Sequence, residues 1–274
     1  HVAEVVEGGN VLIAGGCTAP PCAVTSSAEL LDPQNGSVTP IDPLPIKLAG
    51  QASTVLADGR VLIVGGCTTT ESSGRSFLYS PAERTFEETA PMQEGRCRAE
   101  LSQLRDGRVL LSGGCTTIDC NGVLASAELF DPRAGSWQSL PPMASARAGH
   151  YSAALRDGRV LVGGGCADQR CSQVLSDSEL FDPKSAQFVA SAAGQRPRFG
   201  AVAVPLPNGN ALVSQGCASR DNCDLTNELF DAKDQSFAML EPAVTTRALH
   251  GVVVTSDNVA IANGGCQPSS CSWW

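Results

Sequence analysis

The segment DGRVLVGGGC, residues 157–166, decides the fold because the chain contains it six times in related forms. The other copies begin at residues 8, 58, 106, 208 and 257, and they are GGNVLIAGGC, DGRVLIVGGC, DGRVLLSGGC, NGNALVSQGC and DNVAIANGGC. The cysteines that end the copies are 48 to 51 residues apart. A period of this length is typical of repeated units that stack on one another.

Each repeat contains the pattern of four short strands. In the fourth repeat, residues 151–155 and 160–162 are two hydrophobic strands, and Asp157 and Gly158 between them predict a two-residue hairpin turn with positive φ. The block SELFDP, residues 178–183, predicts a third strand closed by an Asp-Pro turn, and an aromatic fourth strand follows. Since no helical periodicity separates these strands, the sequence predicts an all-β fold.

These marks resemble the kelch repeat, which has Arg-x-Gly-His in its first strand, Gly-Gly after the second, Tyr/Phe-Asp-Pro in the third and Trp in the fourth. The residues that fill these roles are Arg147, Gly149, His150, Gly164, Gly165, Phe181, Asp182, Pro183 and Trp137. The resemblance covers the whole chain and implies a kelch-type β-propeller of the superfamily that includes galactose oxidase.

We expect one propeller domain over residues 1–274, with repeats of about 1–46, 47–92, 93–143, 144–194, 195–241 and 242–274. Five repeats are whole and the sixth has two strands, which predicts six blades with an incomplete last blade; rings of five or seven blades stay open. Two departures stand out. The second repeat has FLYSP at 77–81 in place of ELFDP, and Gln215 replaces the first glycine of the fifth.

The charge and hydropathy of the chain disfavour two classes of partner. The 274 residues carry a formal net charge of −9, without a Lys/Arg block, which disfavours nucleic acid and anionic membrane surfaces. The apolar runs, such as 61–64, are too short to insert into a bilayer. Because the repeats begin within a strand and end in a half repeat, we expect a part of a larger chain or assembly.

The twelve cysteines predict a disulfide framework. Five repeats carry a close pair in the loop between the second and third strands: Cys17 and Cys22, Cys115 and Cys120, Cys166 and Cys171, Cys217 and Cys223, and Cys266 and Cys271. Cys67 has no near partner, and Cys97 begins the next repeat, so these two are predicted to bridge adjacent blades. The alternative of zinc is disfavoured because each pair lies on its own blade, whereas a structural zinc needs four converging ligands. Disulfides indicate an extracellular or periplasmic protein.

Arginines recur ten residues before the hairpin turn, and Leu48 takes this position in the second repeat. They are Arg96, Arg147, Arg198 and Arg247. They predict a ring of cations at the mouth of the central channel, able to bind a carboxylate through paired hydrogen bonds. The alternative is structural, with each arginine capping carbonyl groups or pairing with a glutamate of the third strand. Those glutamates are Glu29, Glu128, Glu179 and Glu228.

Two further sets are candidates for a site. The cysteine loops contain residues that do not repeat, which makes them candidates for ligand specificity: Asp119, Asp168, Gln169, Arg170, Arg220, Asp221 and Asn222. His1, His150 and His250 share one position of the repeat near the channel. A metal site there is the alternative to a structural role, but opposite blades are too far apart to share one ion, so we expect no metal.

The function predicted from the sequence is a non-catalytic, extracytoplasmic binding scaffold that recognises a protein or glycan ligand, an anionic one included, on the face of the cysteine loops. A serine nucleophile elbow, a phosphate loop and a metalloprotease helix are all missing from the sequence. The galactose oxidase type of copper site needs two tyrosines, two histidines and a cysteine crosslinked to a tyrosine; the only tyrosines are Tyr79 and Tyr151. We therefore expect no cofactor. The alternatives are a structural module of a larger secreted or cell-surface protein and a carbohydrate-active enzyme.

Overall fold

The computed structural model describes residues 1–19, 22–219, 221–223, 226–246, 248–255 and 259–265. These residues form an all-β fold, and their only helix is a single 3₁₀ turn at Glu7–Gly9. Each repeat gives one antiparallel sheet whose strands follow the order of the chain. None of the described residues lies in a helix long and apolar enough to cross a membrane.

Each sheet is one blade, numbered as its repeat. Blade 1 contains β1 (Val2–Val5), β2 (Val11–Ala14), β3 (Ala28–Leu31) and β4 (Val38–Ile41). Blade 2 contains β5 (Ala49–Val55), β6 (Val61–Cys67), β7 (Ser76–Ser80) and β8 (Thr85–Thr89). Blade 3 contains β9 (Glu100–Gln103), β10 (Val109–Ser112), β11 (Ala127–Asp131) and β12 (Ser136–Leu140). Blade 4 contains β13 (Tyr151–Ala154), β14 (Val160–Gly163), β15 (Ser178–Asp182) and β16 (Gln187–Ala190).

Blade 5 contains β17 (Val202–Pro205), β18 (Ala211–Ser214), β21 (Asn227–Asp231) and β22 (Ser236–Met239). A small hairpin of β19 (Cys217–Ser219) and β20 (Asn222–Cys223) projects between its second and third strands. In blade 6 the described residues form two strands, β23 (Gly251–Val254) and β24 (Ala260–Asn263). The first strands of successive blades pack against each other from blade 1 to blade 6. This arrangement confirms the predicted propeller.

The hydrophobic core lies between the blades. One cluster joins Leu12 of blade 1 to Val61 of blade 2, and equivalent clusters join blades 2 and 3, 3 and 4, and 4 and 5. Within blades 2 to 5, the aromatic residue of the third strand packs on that of the fourth, with ring centroids 4.9 Å apart for Phe130 and Trp137. A single sheet therefore buries its faces only against its neighbours, as expected for stacked repeats.

The hairpin turns differ from the predicted two-residue form. In blade 3 the N–H of Leu104 donates to the carbonyl of Arg108, so three residues, 105–107, form the turn. Gly107 has φ of 90°, and the carboxylate of Asp106 accepts the N–H of Arg108 at 3.0 Å. The glycine thus supplies the expected positive φ, but at the last position of a three-residue loop, a common hairpin geometry.

The first glycine after the second strand brings adjacent blades together. Gly113 has φ of 57°, and a Cβ at this residue would overlap the carbonyl oxygen of Arg147 in the link to the next blade. The neighbouring Gly114 donates its N–H to that same oxygen at 2.9 Å. The glycine pair therefore lets the backbones of two blades come into direct contact.

Candidate ligand-binding site

The recurring arginines are buried inside the protein. Arg96, Arg147 and Arg198 are 1%, 0% and 2% exposed, and Arg247 lies outside the described residues. The prediction of a ring of cations at the channel mouth is therefore wrong for these three arginines, because their guanidinium groups point into the blades. A ligand in the channel cannot reach these groups without a rearrangement of the protein.

Arg147 shows how each buried arginine is held. Its Nη1 donates to the carbonyl oxygens of Gly164, at 2.8 Å, and of Asp177, at 3.3 Å. Its Nη2 donates to the carboxylates of Asp177, at 2.7 Å, and of Glu179, at 3.1 Å. The Glu179 carboxylate also accepts the N–H of Ala144 at 2.9 Å. Arg147 and Glu179 therefore tie the link between blades 3 and 4 to the second and third strands of blade 4.

The same arrangement recurs in blades 3 and 5. Arg96 donates to the carbonyl of Gly113, at 3.0 Å, and to the carboxylate of Glu128, at 2.9 Å. Arg198 pairs in the same way with Glu228. In blade 2 the two positions are occupied by Leu48 and Phe77, both 0% exposed. The departure of the second repeat thus replaces a buried ion pair by an apolar pair.

His150 and His250 do not converge on the channel. The Nε2 of His150 lies 2.9 Å from the Oγ of Ser112 in blade 3, and that of His250 lies 3.0 Å from the Oγ of Ser214 in blade 5. Burial is the main cause that lowers the pKa of His150 well below its usual value, and the charge of Arg147 lowers it further. Each of these two histidines therefore joins a blade to the preceding one, His150 as a neutral ring.

Five predicted disulfides are present in the structure: Cys17–Cys22, Cys67–Cys97, Cys115–Cys120, Cys166–Cys171 and Cys217–Cys223. Cys67 ends β6 of blade 2 and Cys97 precedes β9 of blade 3, so their bond joins adjacent blades as predicted. The predicted pair Cys266 and Cys271 lies outside the described residues. The other four bonds close loops on one face of the propeller.

The loop residues that do not repeat lie mostly at the surface. Gln169, Arg170, Asp221, Asn222 and Asp119 are exposed, and Arg220 lies outside the described residues. Asp168 is half-buried; burial opposes its ionisation, but hydrogen bonds from the Ser172 side chain and from backbone N–H groups outweigh this effect and lower its pKa. Asp168 thus stabilises its own loop, while the exposed residues lie on the cysteine loops at the surface and do not line the central cavity.

A cavity of about 530 Å³ lies at the centre of the cysteine-loop face. Every blade contributes to its wall, through His1, Gln51, Glu100, Gly149, Phe199 and Leu249 among others. The buried disulfide cysteines Cys120, Cys166 and Cys171 also line it. This volume falls in the usual range of pockets for small molecules.

A chain of backbone hydrogen bonds surrounds the cavity. The N–H of Arg98 donates to the carbonyl of Gly50, and Gly149, Gly200 and Leu249 each donate to the corresponding residue of the preceding blade, at 2.8 to 3.2 Å. All five residues have φ between 54° and 66°. We name this set, residues 50, 98, 149, 200 and 249, the inter-blade belt. It links blades 2 to 6 along the cavity wall.

Two polar side chains of the cavity wall lack a protein partner. The Oε1 of Gln51 accepts no hydrogen bond, although the residue is 8% exposed and its Nε2 donates to the carbonyl of Ala14 at 2.9 Å. The carboxyl group of the half-buried Glu100 makes no hydrogen bond or ion pair with the residues that the structure describes, and burial raises its pKa to about 8. Perturbed groups of this kind in a cavity are typical of binding and catalytic sites.

Comparison with known proteins agrees with the repeat pattern. The family model of the Kelch motif matches residues 105–144. The solved structure of YjhT is similar to this chain with a TM-score of 0.74 and 14% identity, over 93% of this chain and 87% of YjhT. The fold is a kelch-type β-propeller. A search of curated proteins finds no match.

A second solved propeller similar to this kelch propeller is a fungal alcohol oxidase of the AA5 family in complex with copper, with a TM-score of 0.61 and 17% identity, over 98% of this chain and 71% of the oxidase. At this identity the likeness concerns the fold alone. The copper site of the galactose oxidase type does not fit the residues of this propeller. Tyr79 and Tyr151 are buried in blades 2 and 4, and the described cysteines form disulfides.

Sequence reasoning missed Glu100 as a site residue of the kelch propeller. The other repeats have Val2, Ala52, Tyr151, Val202 and Gly251 at this position. A single carboxylic acid at a position that is otherwise uncharged was the available signal. Gln51 was missed as well, because the sequence does not show which side-chain atoms stay unpaired.

Proposed function

We propose that this propeller is a non-catalytic binding module that recognises a protein or glycan ligand on the face of the disulfide-closed loops, with one group of the ligand inserted into the central cavity. The observation that carries the proposal is that two polar groups of the cavity wall lack a partner. They are the Oε1 of the buried Gln51 and the carboxyl group of the half-buried Glu100. A bound ligand would satisfy Glu100 directly and Gln51 after its side chain turns toward the cavity.

The wall favours a hydroxyl-bearing or anionic group. Glu100, protonated at neutral pH because burial raises its pKa to about 8, offers a donor, and Gln51 Oε1, which has almost no accessible surface in the free protein, becomes an acceptor for a ligand hydroxyl when its side chain turns toward the cavity. The protonated Glu100 adds no negative charge, and Arg98 places a cation in the same wall. The exposed Leu249 supplies an apolar surface for an apolar part of the ligand.

The disulfides support both binding and localisation. Two of them, Cys115–Cys120 and Cys166–Cys171, place sulfur atoms against the cavity and restrict the loops at its opening. A rim already ordered in the free protein loses little conformational entropy on binding. Because disulfides form in oxidising compartments, we propose an extracellular or periplasmic protein, as part of a larger chain or assembly.

A glycan array, followed by calorimetric titration of the best glycan, tests the proposal. Gln51→Ala and Glu100→Ala should each weaken binding about tenfold, the usual effect of losing a buried hydrogen bond to a ligand. Both changes introduce a residue that another blade has at the same position. Ala201 of blade 5 corresponds to Gln51, and Ala52 of blade 2 corresponds to Glu100. Arg133→Ala, on the opposite face, is the control and should bind as the wild type does. Equal affinity of all four proteins would exclude the cavity as the site.

One observation favours a catalytic alternative, a carbohydrate-active enzyme. A carboxyl group with a pKa of about 8 in a cavity is poised to transfer a proton near neutral pH. Incubation of the array's best glycan with the protein, followed by mass spectrometry, tests this alternative. Product formation that is lost in Glu100→Gln would replace the binding function by an enzymatic one.

A further inference from the structure

Two equivalent grooves lie on the face opposite the cysteine loops. Because the strands of each blade are antiparallel and follow the order of the chain, the hairpin turn and the Asp-Pro turn of a blade lie on this face. We name it the turn face; in blade 3 its turns are residues 105–107 and 132–135. One groove of about 500 Å³ lies between blades 2 and 3, and one of about 640 Å³ lies between blades 3 and 4.

The two grooves differ in charge by one arginine. Each is lined by the hairpin turn of one blade and both turns of the next, with three aspartates at equivalent positions. Between blades 2 and 3, three cations balance them: Arg60, Arg108 and Arg133. Between blades 3 and 4 there are four: Arg105, Arg108, Arg159 and Lys184. The additional cation is Arg105, since blade 2 has Ala57 at its position. The second groove is therefore positive, in a chain whose net charge is −9.

Arg105 makes no hydrogen bond or ion pair with the residues that the structure describes. Its exposed side chain passes over the hairpin turn of blade 4, where its Cδ lies 3.8 Å from the place that a Cβ of Gly158 would take. The carboxylate of Asp157 in that turn already accepts the N–H and the Nε of Arg159, at 3.0 and 2.8 Å. Burial opposes the ionisation of Asp157, but the bonds from Arg159 and the charge of Arg105 outweigh it and lower its pKa. The Arg105 guanidinium thus keeps its donors for a molecule in the groove.

Arg156 shows how an arginine at this position of the turn acts when its role is structural. It is the residue of blade 4 equivalent to Arg105, and its Nη1 donates to the carbonyl of Pro207 in the hairpin turn of blade 5 at 2.9 Å. Arg159 also reaches blade 5, through the carbonyl of Ala232 at 2.8 Å. Among the described residues, Arg105 makes no such bond with blade 4. Arg105 therefore does not join its blade to the next one as Arg156 does.

The side chains of the groove suit carboxylates separated by neutral groups. An arginine binds a carboxylate through paired N–H donors, and a lysine attracts another as a point charge. The exposed Lys184 makes no ion pair with the described residues either. A polyanion with a charge on every unit would place some of its charges against the three aspartates. A peptide whose acidic residues alternate with neutral ones avoids this repulsion, and Pro183 offers it an apolar surface.

We propose that the groove between blades 3 and 4 binds an acidic peptide segment of a partner protein, with one carboxylate on Arg105 and another on Lys184. The groove lies on the turn face and the central cavity on the cysteine-loop face, so this inference does not depend on the function proposed for the cavity. Because the two sites lie on opposite faces, both can be occupied at the same time.

Fluorescence polarisation with the whole protein tests the proposal. The probe is a labelled peptide of alternating glutamate and alanine, and the same peptide with glutamine is its neutral match. The glutamate peptide should bind, with an affinity that falls as salt is added, and the glutamine peptide should not bind. An oligogalacturonate, which has a carboxylate on every sugar, should compete poorly. No binding of the glutamate peptide, equal binding of the two peptides, or tighter binding of the oligogalacturonate would overturn the proposal.

Three variants at exposed turn positions assign the binding to the groove. Arg105→Ala gives the groove the alanine of its neutral neighbour and should weaken binding of the glutamate peptide about tenfold. Ala57→Arg gives the neighbour the missing cation and should double the number of bound peptides. Arg84→Ala, the control, removes a cation of the turn face outside both grooves and copies Ala186 of blade 4, so it should bind as the wild type does.

Each of these variants carries a residue that another blade has at the same position, so we expect all three to fold. An equal loss of affinity in Arg84→Ala and Arg105→Ala would show attraction by the charge of the whole face, and would overturn the groove as the site. A single bound peptide in Ala57→Arg would contradict the assignment to Arg105.

Discussion

Leu48 and Phe77 occupy in blade 2 the positions at which Arg147 and Glu179 form a buried ion pair in blade 4. Both apolar residues belong to the core cluster between blades 1 and 2. Breaking a buried ion pair leaves one charge without compensation, whereas replacing both partners by packed apolar residues is often neutral. Blade 2 therefore already contains the apolar pair that would replace the ion pair of blade 4.

The first prediction concerns this pair. Arg147→Leu alone should lower the free energy of unfolding by about 3 to 5 kcal/mol, since it leaves the Glu179 carboxylate buried without its cation. The double variant Arg147→Leu, Glu179→Phe should recover most of that loss. Urea unfolding of the wild type, both single variants and the double variant gives the coupling energy.

Arg108→Leu is the matched control for that experiment, because Arg108 pairs with Asp106 at the surface, where about a third of its side chain is exposed. Its loss should cost less than about 1 kcal/mol. If Arg147→Leu were as mild as Arg108→Leu, the buried arginines would not be structural, and their role in ligand binding would have to be reconsidered.

The second prediction concerns the stability of the protein at acidic pH. Burial keeps His150 neutral, so its pKa is lower in the folded than in the unfolded protein. The unfolded state then binds the extra proton, and stability should fall as the pH drops below about 6.5, by at most about 1.4 kcal/mol per pH unit. His150→Gln, which copies Gln51 of blade 2, should flatten this dependence. A variant of the exposed His1, His1→Gln, should keep the slope of the wild type.

The third prediction concerns the stability of the protein as the pH rises. The pKa of Glu100 is raised to about 8, so the folded state holds a proton that the unfolded state releases near pH 4.5. Stability should therefore decrease as the pH rises from about 4.5 to 8, with the same limiting slope. Glu100→Gln should be more stable than the wild type at pH 8 and gain little at pH 4. Thermal unfolding against pH measures both, and the exposed Glu83→Gln is the control. An equal gain at both pH values would contradict an ionisation effect.

The fourth prediction ranks the disulfides. The Cys67–Cys97 bond spans 30 residues, whereas Cys115–Cys120 spans 5. In the chain-entropy account their removal costs about 3.6 and about 2 kcal/mol. The double variant Cys67→Ala, Cys97→Ala should therefore be less stable than Cys115→Ala, Cys120→Ala in urea. The reverse order would show that native-state contacts, and not the entropy of the unfolded chain, set the contribution of these bonds.

Repetition made the fold and most of the disulfides predictable. Six copies of one segment fixed the number of units, and the missing partner of Cys67 identified Cys97. Repetition also led to a wrong prediction. The arginine position, repeated at the start of each first strand, was expected to face the channel. Arg147 instead turns into its own blade, where carbonyl oxygens and Glu179 outweigh the cost of removing its charge from water.

The candidate site was less predictable, because it depends on exceptions to the repeat. Glu100 is one carboxyl among uncharged equivalents, and its significance follows from burial, which a sequence does not display. The turns show the same limit on a smaller scale. The Asp-Gly pair of the repeat predicted positive φ in the turn, and in blade 3 Gly107 supplies it, but the hydrogen bond between Leu104 and Arg108 determines that the loop has three residues.

The inter-blade belt has a consequence for how the molecule comes apart. Because residues 98, 149, 200 and 249 each donate to the blade before them, blades 3, 4 and 5 cannot swing outward without breaking hydrogen bonds on both of their sides. The propeller should therefore lose its structure in one concerted event instead of peeling away blade by blade. Amide hydrogen exchange at Gly149 and Gly200 would then proceed only through global opening, at the same free energy as the exchange of the core strands.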